Sequence, residues 1–212
     1  MSNSRIENKL KVVDFFCGAG GMSCGFHQEN IKVLAGIDID SNFKDTYLAN
    51  HEESEFLNKD VVKYDAEELQ RDIYLKKYED KLIFIGCSPC QYWSGINSNK
   101  HRSSYTSNLL HDFQRFVSFF RPGYVIVENV PGILNKKNNY VLLSFLDFLT
   151  FNGYKFEYKI ISTNEFGVPQ KRKRFLLIAS RVVNQIQFPK PTVNDNLTVN
   201  NFIGSHNGFP VL

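Results

Sequence analysis

A doubly wound, mostly parallel α/β sheet is the fold class that this 212-residue sequence predicts. Short apolar runs alternate with segments of helical period along most of the chain, which is the pattern of successive strand–helix–strand units. A glycine-rich turn, Gly18-Ala19-Gly20-Gly21, follows the first apolar run. Acidic residues or a cysteine stand where the runs end, and in such sheets that edge collects ligands.

The elements read in order as follows. Lys11 to Phe16 is a strand, followed by the glycine turn and a short helix reaching Gln28. Val33 to Asp38 is the second strand; a helix then starts at Ser41, taken as its N-cap, and runs to about His51. A short third strand ends near Asp60, and a helix covers Ala66 to Lys77. The continuous apolar run Leu82 to Ile85 is a buried fourth strand. Leu109 to Phe120 has helical period, and Tyr124 to Glu128 is the fifth strand. Val141 to Phe151 is a helix stopped by Asn152-Gly153, and Tyr154 to Ile161 and Arg174 to Ala179 close the pattern as strands. The domain is expected over residues 1–183, with an Asn-rich tail over 184–212 that reads as a linker. Asp14, Asp38, Asp60, Cys90 and Glu128 then all fall at the C-terminal ends of strands.

Bulk properties narrow the class. The chain is long enough for one sizeable core, and 42% hydrophobic with 14% aromatic residues is ordinary for a folded domain. No stretch approaches the roughly 20 apolar residues of a membrane span, and residues 1–11 lack a signal-peptide core, so no membrane association and a cytoplasmic location are expected. A net charge of +3 permits nucleic acid binding without demanding it. The four cysteines, Cys17, Cys24, Cys87 and Cys90, are then expected to be reduced, which ranks chemistry or metal above disulfides.

The segment Gly86-Cys87-Ser88-Pro89-Cys90-Gln91 places a cysteine in the loop after a buried strand, where α/β enzymes carry reactive groups. The glycine turn lacks the G-x-G-x-x-G spacing of dinucleotide sites. Asp38 is placed to bind ribose hydroxyls and Asp60 to accept from an adenine amino group, which describes a nucleoside cofactor without a pyrophosphate. Two other readings of the cysteines are a redox pair, Cys87 with Cys90, and a four-cysteine zinc site. The first leaves the glycine turn and Glu128-Asn129-Val130 without a role. The second needs Cys17 and Cys24 at a spacing wider than a typical zinc knuckle. Metal binding is therefore not expected, and Cys17, Cys24 and Cys87 read as small buried hydrophobes.

Five blocks in order, Asp14–Gly21, Gly36–Asp40, Ser88–Gln91, Glu128–Pro131 and Gln170–Arg174, resemble the catalytic domain of DNA (cytosine-5)-methyltransferases, over about Val12 to Arg181. The resemblance implies the Rossmann-like fold of S-adenosylmethionine-dependent methyltransferases. It also implies a cofactor pocket formed by Phe16, Gly18, Ala19, Gly20 and Gly21, with Asp38 on the ribose and Ile39 against the adenine. Asp60 with Val61 would read its amino group, and Pro89 and Leu109 would border the pocket. Cys90 would be the nucleophile, shaped by Pro89 and Gln91. Glu128 and Asn129 would face the target base, Arg174 would reach its carbonyl oxygen, and Gln170 and Arg172 would support the loop. In Lys171-Arg172-Lys173-Arg174 the arginines are expected toward the site and the lysines toward solvent or phosphate.

The implied substrate is duplex DNA in a restriction-modification setting, with the target cytosine flipped out of the stack; an RNA substrate stays open. Two departures accompany the resemblance. Ser104 and Thr106 stand where the family carries an Asp and an Arg. A target-recognition domain, and a last helix with further cofactor contacts, are expected after Arg181 and are not in this sequence. A second polypeptide supplying them is one reading; a truncated product and a non-catalytic scaffold are the others.

Overall fold

In the computed structural model, residues 9–89, 108–135, 139–193, 200–203 and 208 are described. Seven strands form one sheet: β1 (Lys11–Phe15), β2 (Lys32–Asp38), β3 (Glu55–Asn58), β4 (Leu82–Gly86), β5 (Tyr124–Asn129), β6 (Lys155–Ser162) and β7 (Lys173–Ser180). Their spatial order is β3-β2-β1-β4-β5-β7-β6. The first five are parallel, and β7 runs antiparallel to both neighbours. The chain winds outward from β1 to β3, then returns to place β4 on the other side of β1. The crevice at this reversal lies between the ends of β1 and β4.

Both sheet faces carry helices. On one face, α1 (Gly21–Gln28) sets Met22 and Phe26 against Val12, Val33, Ile83 and Ile85. Tyr47 of α2 (Lys44–Asn50) lies on the same face, over Gly36. The other face carries α3 (Ala66–Asp72), α4 (Leu109–Phe120) and α5 (Tyr140–Phe151). Helix α4 buries Leu109, Leu110, Phe113, Phe116, Val117 and Phe120, one apolar stripe at helical spacing. Phe113 and Phe116 meet Phe15, and Phe120 meets Phe84, in ring contacts of 5.0–5.5 Å. Such offset and edge-on pairs add to what burial alone supplies. The helix stops where Arg121 turns left-handed ahead of Pro122.

The expected elements are all present, with local differences. The N-cap after β2 is Asp40, not Ser41: its carboxylate accepts from the Asn42 amide at 3.0 Å, and Ser41–Phe43 form a 3-10 turn before α2. Helix α3 ends at Asp72, five residues short of the expected Lys77, because Tyr74 adopts a positive φ that a helix does not accommodate. Residues 188–193 of the tail stay on the domain instead of leaving it. Lys159 sits over the Phe188 ring, and the Thr192 and Val193 amides donate to the Glu165 carbonyl, which follows β6. A four-residue helix, α6 (Asn200–Ile203), comes after. No helix among the described residues is long and apolar enough to cross a membrane.

Candidate active site at the sheet crossover

The glycine turn leaves β1 at the reversal point. Phe16 adopts a φ of 61° and Gly18 one of 52°, so the chain turns sharply right after the strand. The Gly18 amide donates to Asp38 Oδ2 at 2.9 Å, and the Asp40 amide donates to Asp38 Oδ1 at 2.9 Å. Asp38 thus ties the turn after β1 to the turn after β2, with one lone pair left on each oxygen for a ligand. Side chains built at Gly18 or Gly21 would meet nothing within 4 Å, so both glycines border open space, and Ala19 is exposed beside them. Gly20 is buried and belongs to the turn's inner wall.

Ile39, next to Asp38, is 61% exposed. A large aliphatic side chain held out beside a carboxylate at the crevice suits a flat apolar ring. Asp60 is oriented by its own turn: its Oδ1 accepts from the Val62 amide at 3.1 Å. The Val61 side chain is buried in the core, and its carbonyl accepts from Arg115 at 2.8 Å. Leu109 is likewise buried at the start of α4, and Pro89 is half-buried in the loop after β4.

Glu128 and Asn129 part company. Successive strand residues point to opposite faces, so Asn129 is fully buried and braces the loop after β4 instead of standing beside Glu128. Its amide donates to the Ser88 carbonyl at 3.2 Å and contacts Ser88 Oγ at 3.3 Å. Glu128 faces the other way and pairs with Arg174. Burial pushes the Glu128 carboxyl up, while Arg174 and, more weakly, Arg172 hold it down. Arg172 is as exposed as Lys171 and Lys173, so of the two arginines only Arg174 turns inward. The segment is pinned through Thr163, whose hydroxyl donates to the exposed Gln170's carbonyl at 2.5 Å.

Asp14 stands at the end of β1 and is wholly buried there, with Oδ2 accepting from Ser23 at 2.7 Å and Oδ1 without a partner. Burial pushes it up to about 7. Burial and the nearby Asp14 and Asp38 also push the Cys17 thiol up, which disfavours a thiolate there. Cys24 is exposed, contrary to its reading as a buried hydrophobe, and Cys87 is half-buried against the Val12 cluster. Cys90 and Gln91 lie outside the described residues, as do Trp93, Lys100, His101, Arg102, Ser104 and Thr106. Pro89 is the last described residue of that loop.

A cavity of about 560 Å³ lined by Lys9, Lys11, Lys32, Lys76 and Glu79, among others, opens at the N-terminal ends of β1 and β2. It lies at the edge of the sheet away from the crevice and takes no part in this site.

The family model for C-5 cytosine-specific DNA methylases matches residues 10–207. The chain belongs to this family. It is 33% identical over 195 residues to the Type II methylase M.HgiDII of Herpetosiphon aurantiacus, covering 92% of this chain and 54% of the relative. It is 32% identical to the Type II methyltransferase M.XorII of Xanthomonas oryzae, covering 91% of this chain and 45% of that protein. Among solved structures, a prophage-encoded E. coli protein superposes with a TM-score of 0.76 at 24% identity, over 91% of this chain and 54% of the other. The Entamoeba histolytica methyltransferase EhMeth does so at 0.67 and 22%, over 86% and 57%. The chain thus spans about half the length of the relatives it matches.

Sequence reasoning missed three residues of this region. Ser23, Tyr47 and His51 carry no motif, yet they stand directly behind the glycine turn. The signal for Tyr47 was Gly36, a glycine inside an apolar strand, which marks close approach of another group.

Proposed function

We propose that this chain is the catalytic part of an enzyme that methylates carbon 5 of cytosine in duplex DNA, with S-adenosylmethionine as donor. The supporting observation is the convergence at one crevice of the glycine turn, the loop leading to Cys90, and the Glu128–Arg174 pair, in a chain of the cytosine-specific methylase family. The open space at Gly18 and Gly21, the remaining lone pairs of Asp38 and the exposed Ile39 fit the methionine, ribose and adenine parts of the cofactor. When bound, the cofactor supplies an electrophilic methyl group.

The chain's own residues prepare the base. Carbon 5 of cytosine becomes nucleophilic when a thiolate adds to carbon 6, and Cys90 is assigned that role. Electron density then moves toward N3 and the carbonyl oxygen. Glu128, whose burial favours the protonated form, shares a proton with N3, and Arg174 stabilises the charge growing on the oxygen. Loss of the carbon 5 proton afterwards expels the Cys90 thiolate. Asn129, through Ser88, steadies the loop that carries the nucleophile. The reading assigns sequence recognition, and the flipping of the base, to the part of the relatives beyond the match, on this chain or on a second polypeptide.

The test is transfer of labelled methyl from S-adenosylmethionine to mixed-sequence duplex DNA, with and without a polypeptide supplying the recognition part. Label recovered as 5-methylcytosine, and lost in Cys90→Ala, supports the proposal. Equal transfer by Cys90→Ala would refute the nucleophile, and no transfer in either condition would refute the catalytic reading.

A further inference from the structure

The glycine turn is held from behind by two side chains the transfer chemistry does not use. Tyr47 in α2 and His51, one turn later at its C-cap, point at the turn from the same side. The Tyr47 hydroxyl lies 3.1 Å from Ser23 Oγ, in the first turn of α1. Ser23 has a single hydroxyl proton and gives it to Asp14 at 2.7 Å, so Tyr47 donates to Ser23. The order Tyr47, Ser23, Asp14 joins α2, α1 and β1 through buried polar atoms.

His51 reaches the turn itself. Its Nε2 is 3.1 Å from the Gly20 carbonyl. A carbonyl only accepts, so Nε2 carries the proton. Nδ1 is buried without a partner, as in a neutral ring. Burial and the His27 ring stacked 5.0 Å away both oppose a charge there.

Two glycines are the counterpart of these two side chains. A Cβ at Gly20 would stand 2.2 Å from His51 Nε2 and 3.0 Å from the Tyr47 ring, and Gly20 adopts a φ of 89°. A Cβ at Gly36 would stand 2.5 Å from the Tyr47 ring. A Cβ at Gly18 or Gly21 would meet nothing within 4 Å. The turn is therefore packed hard on its inner side and open on its outer side. That is the arrangement of a backbone held in advance for a ligand.

We propose that Tyr47 and His51 are positioning residues for methyl transfer. Through Ser23 and the Gly20 carbonyl they fix the Gly18–Gly21 turn in the shape that receives the methionine end of S-adenosylmethionine. This rests on the cofactor reading given above. Plain core packing would fill the same space but would not depend on a donor at the position of Nε2 or on the Tyr47 hydroxyl.

The experiment compares wild-type chain with Tyr47→Phe, His51→Leu and His51→Gln, whose amide reaches the position of Nε2. Hydrogen exchange of the Gly18 and Gly20 amides is read without ligand, and S-adenosylmethionine affinity by calorimetry. One buried hydrogen bond is worth about three- to tenfold in either readout. Tyr47→Phe and His51→Leu are expected to speed exchange at the turn by that factor and weaken binding comparably. Amides in α4 stay at wild-type rates, and His51→Gln restores both readouts. Wild-type exchange at the turn in both disruptive variants would overturn the proposal, as would equal acceleration in α4 or failure of His51→Gln to rescue. Absence of binding by the wild-type chain would count against the cofactor reading, while the ligand-free exchange still decides whether the two side chains hold the turn.

Discussion

Arg174 Nε stands 2.7 Å from Glu128 Oε1, joining the start of β7 to the end of β5 on one face of the sheet. The register pairs Glu128 with Leu176, two residues from Arg174, so the two charges are diagonal neighbours on adjacent strands. Each satisfies the other, and both are partly screened from water. A carboxyl and a guanidinium are thus already set at a fixed spacing at this end of the sheet.

Removing the guanidinium should therefore move the carboxyl. Burial raises Glu128 and Arg174 is the leading cause that lowers it, so Arg174→Ala is expected to shift the Glu128 titration to higher pH. Carbon-13 detection of the glutamate carboxyls reads this directly. An unchanged midpoint would mean the pair is not formed in solution. For methyl transfer, Glu128→Gln should cost about 10²–10⁴-fold, the usual contribution of a positioned acid or base.

The buried carboxyl of Asp14 makes a different prediction, about stability. Its folded value of about 7 lies above the ordinary 3.8, so between those values the folded state holds more protons than the unfolded one. Stability from this group is full below pH 4 and falls as pH rises to 7, by on the order of 4 kcal/mol at most. Asp14→Asn does not titrate, so its stability relative to wild type should rise from pH 4 to 7 and level off above. Urea unfolding of both proteins at successive pH values measures the difference. Parallel pH profiles would show that Asp14 is ionised throughout.

Asp38 and Ile39 separate binding from folding. Asp38→Ala removes the acceptor of the Gly18 amide and is expected to weaken S-adenosylmethionine binding about ten- to hundredfold, the range for a hydrogen bond to a charged group. Ile39→Ala should also weaken binding while changing stability by only about 0.5 kcal/mol, because the side chain is mostly in water. Calorimetry and thermal unfolding on the same samples decide; unchanged affinity in either variant would remove that residue from the cofactor site.

Gly36→Ala tests the packing behind the turn. The new methyl would press on the Tyr47 ring, and overpacking of this kind costs about 1–3 kcal/mol. The cost should shrink in a Tyr47→Leu background, because the cycle isolates the contact between the two. Equal costs in both backgrounds would place the clash elsewhere.

The fold was legible in the sequence because its signals are local. The apolar run Leu82–Ile85 and the stripe from Leu109 to Phe120 declare their periods outright, and the glycine turn declares a sharp bend. Where a residue type is itself chemical, as with Asp38 and Glu128, its place at a strand end could be read from the sequence, and the structure puts both there. The site was not legible where tertiary contact decides the role. Asn129 follows Glu128 in sequence, yet strand alternation sends it inward to Ser88. Val61 follows Asp60 and is spent in the core. Nothing about Asp14 in the sequence indicates that Ser23, nine residues later, takes its Oδ2 while Oδ1 is left bare. Tyr47 and His51 sit among polar residues that look like the solvent side of a helix, and only the positions of β1 and β2 beneath them show otherwise.

The single reversed strand also decides where the polypeptide travels next. Because β7 starts at Lys173, on the edge that carries Glu128, it lets go of the chain at Ser180, on the far side of the sheet. Residues 181–193 then traverse back, and Thr192 and Val193 dock on Glu165, next to the segment that delivers Arg174. The route is a loop of string drawn out and brought home. Val193 is thereby held on the rim from which Arg174 reaches Glu128, and not on the remote side where the last strand ends.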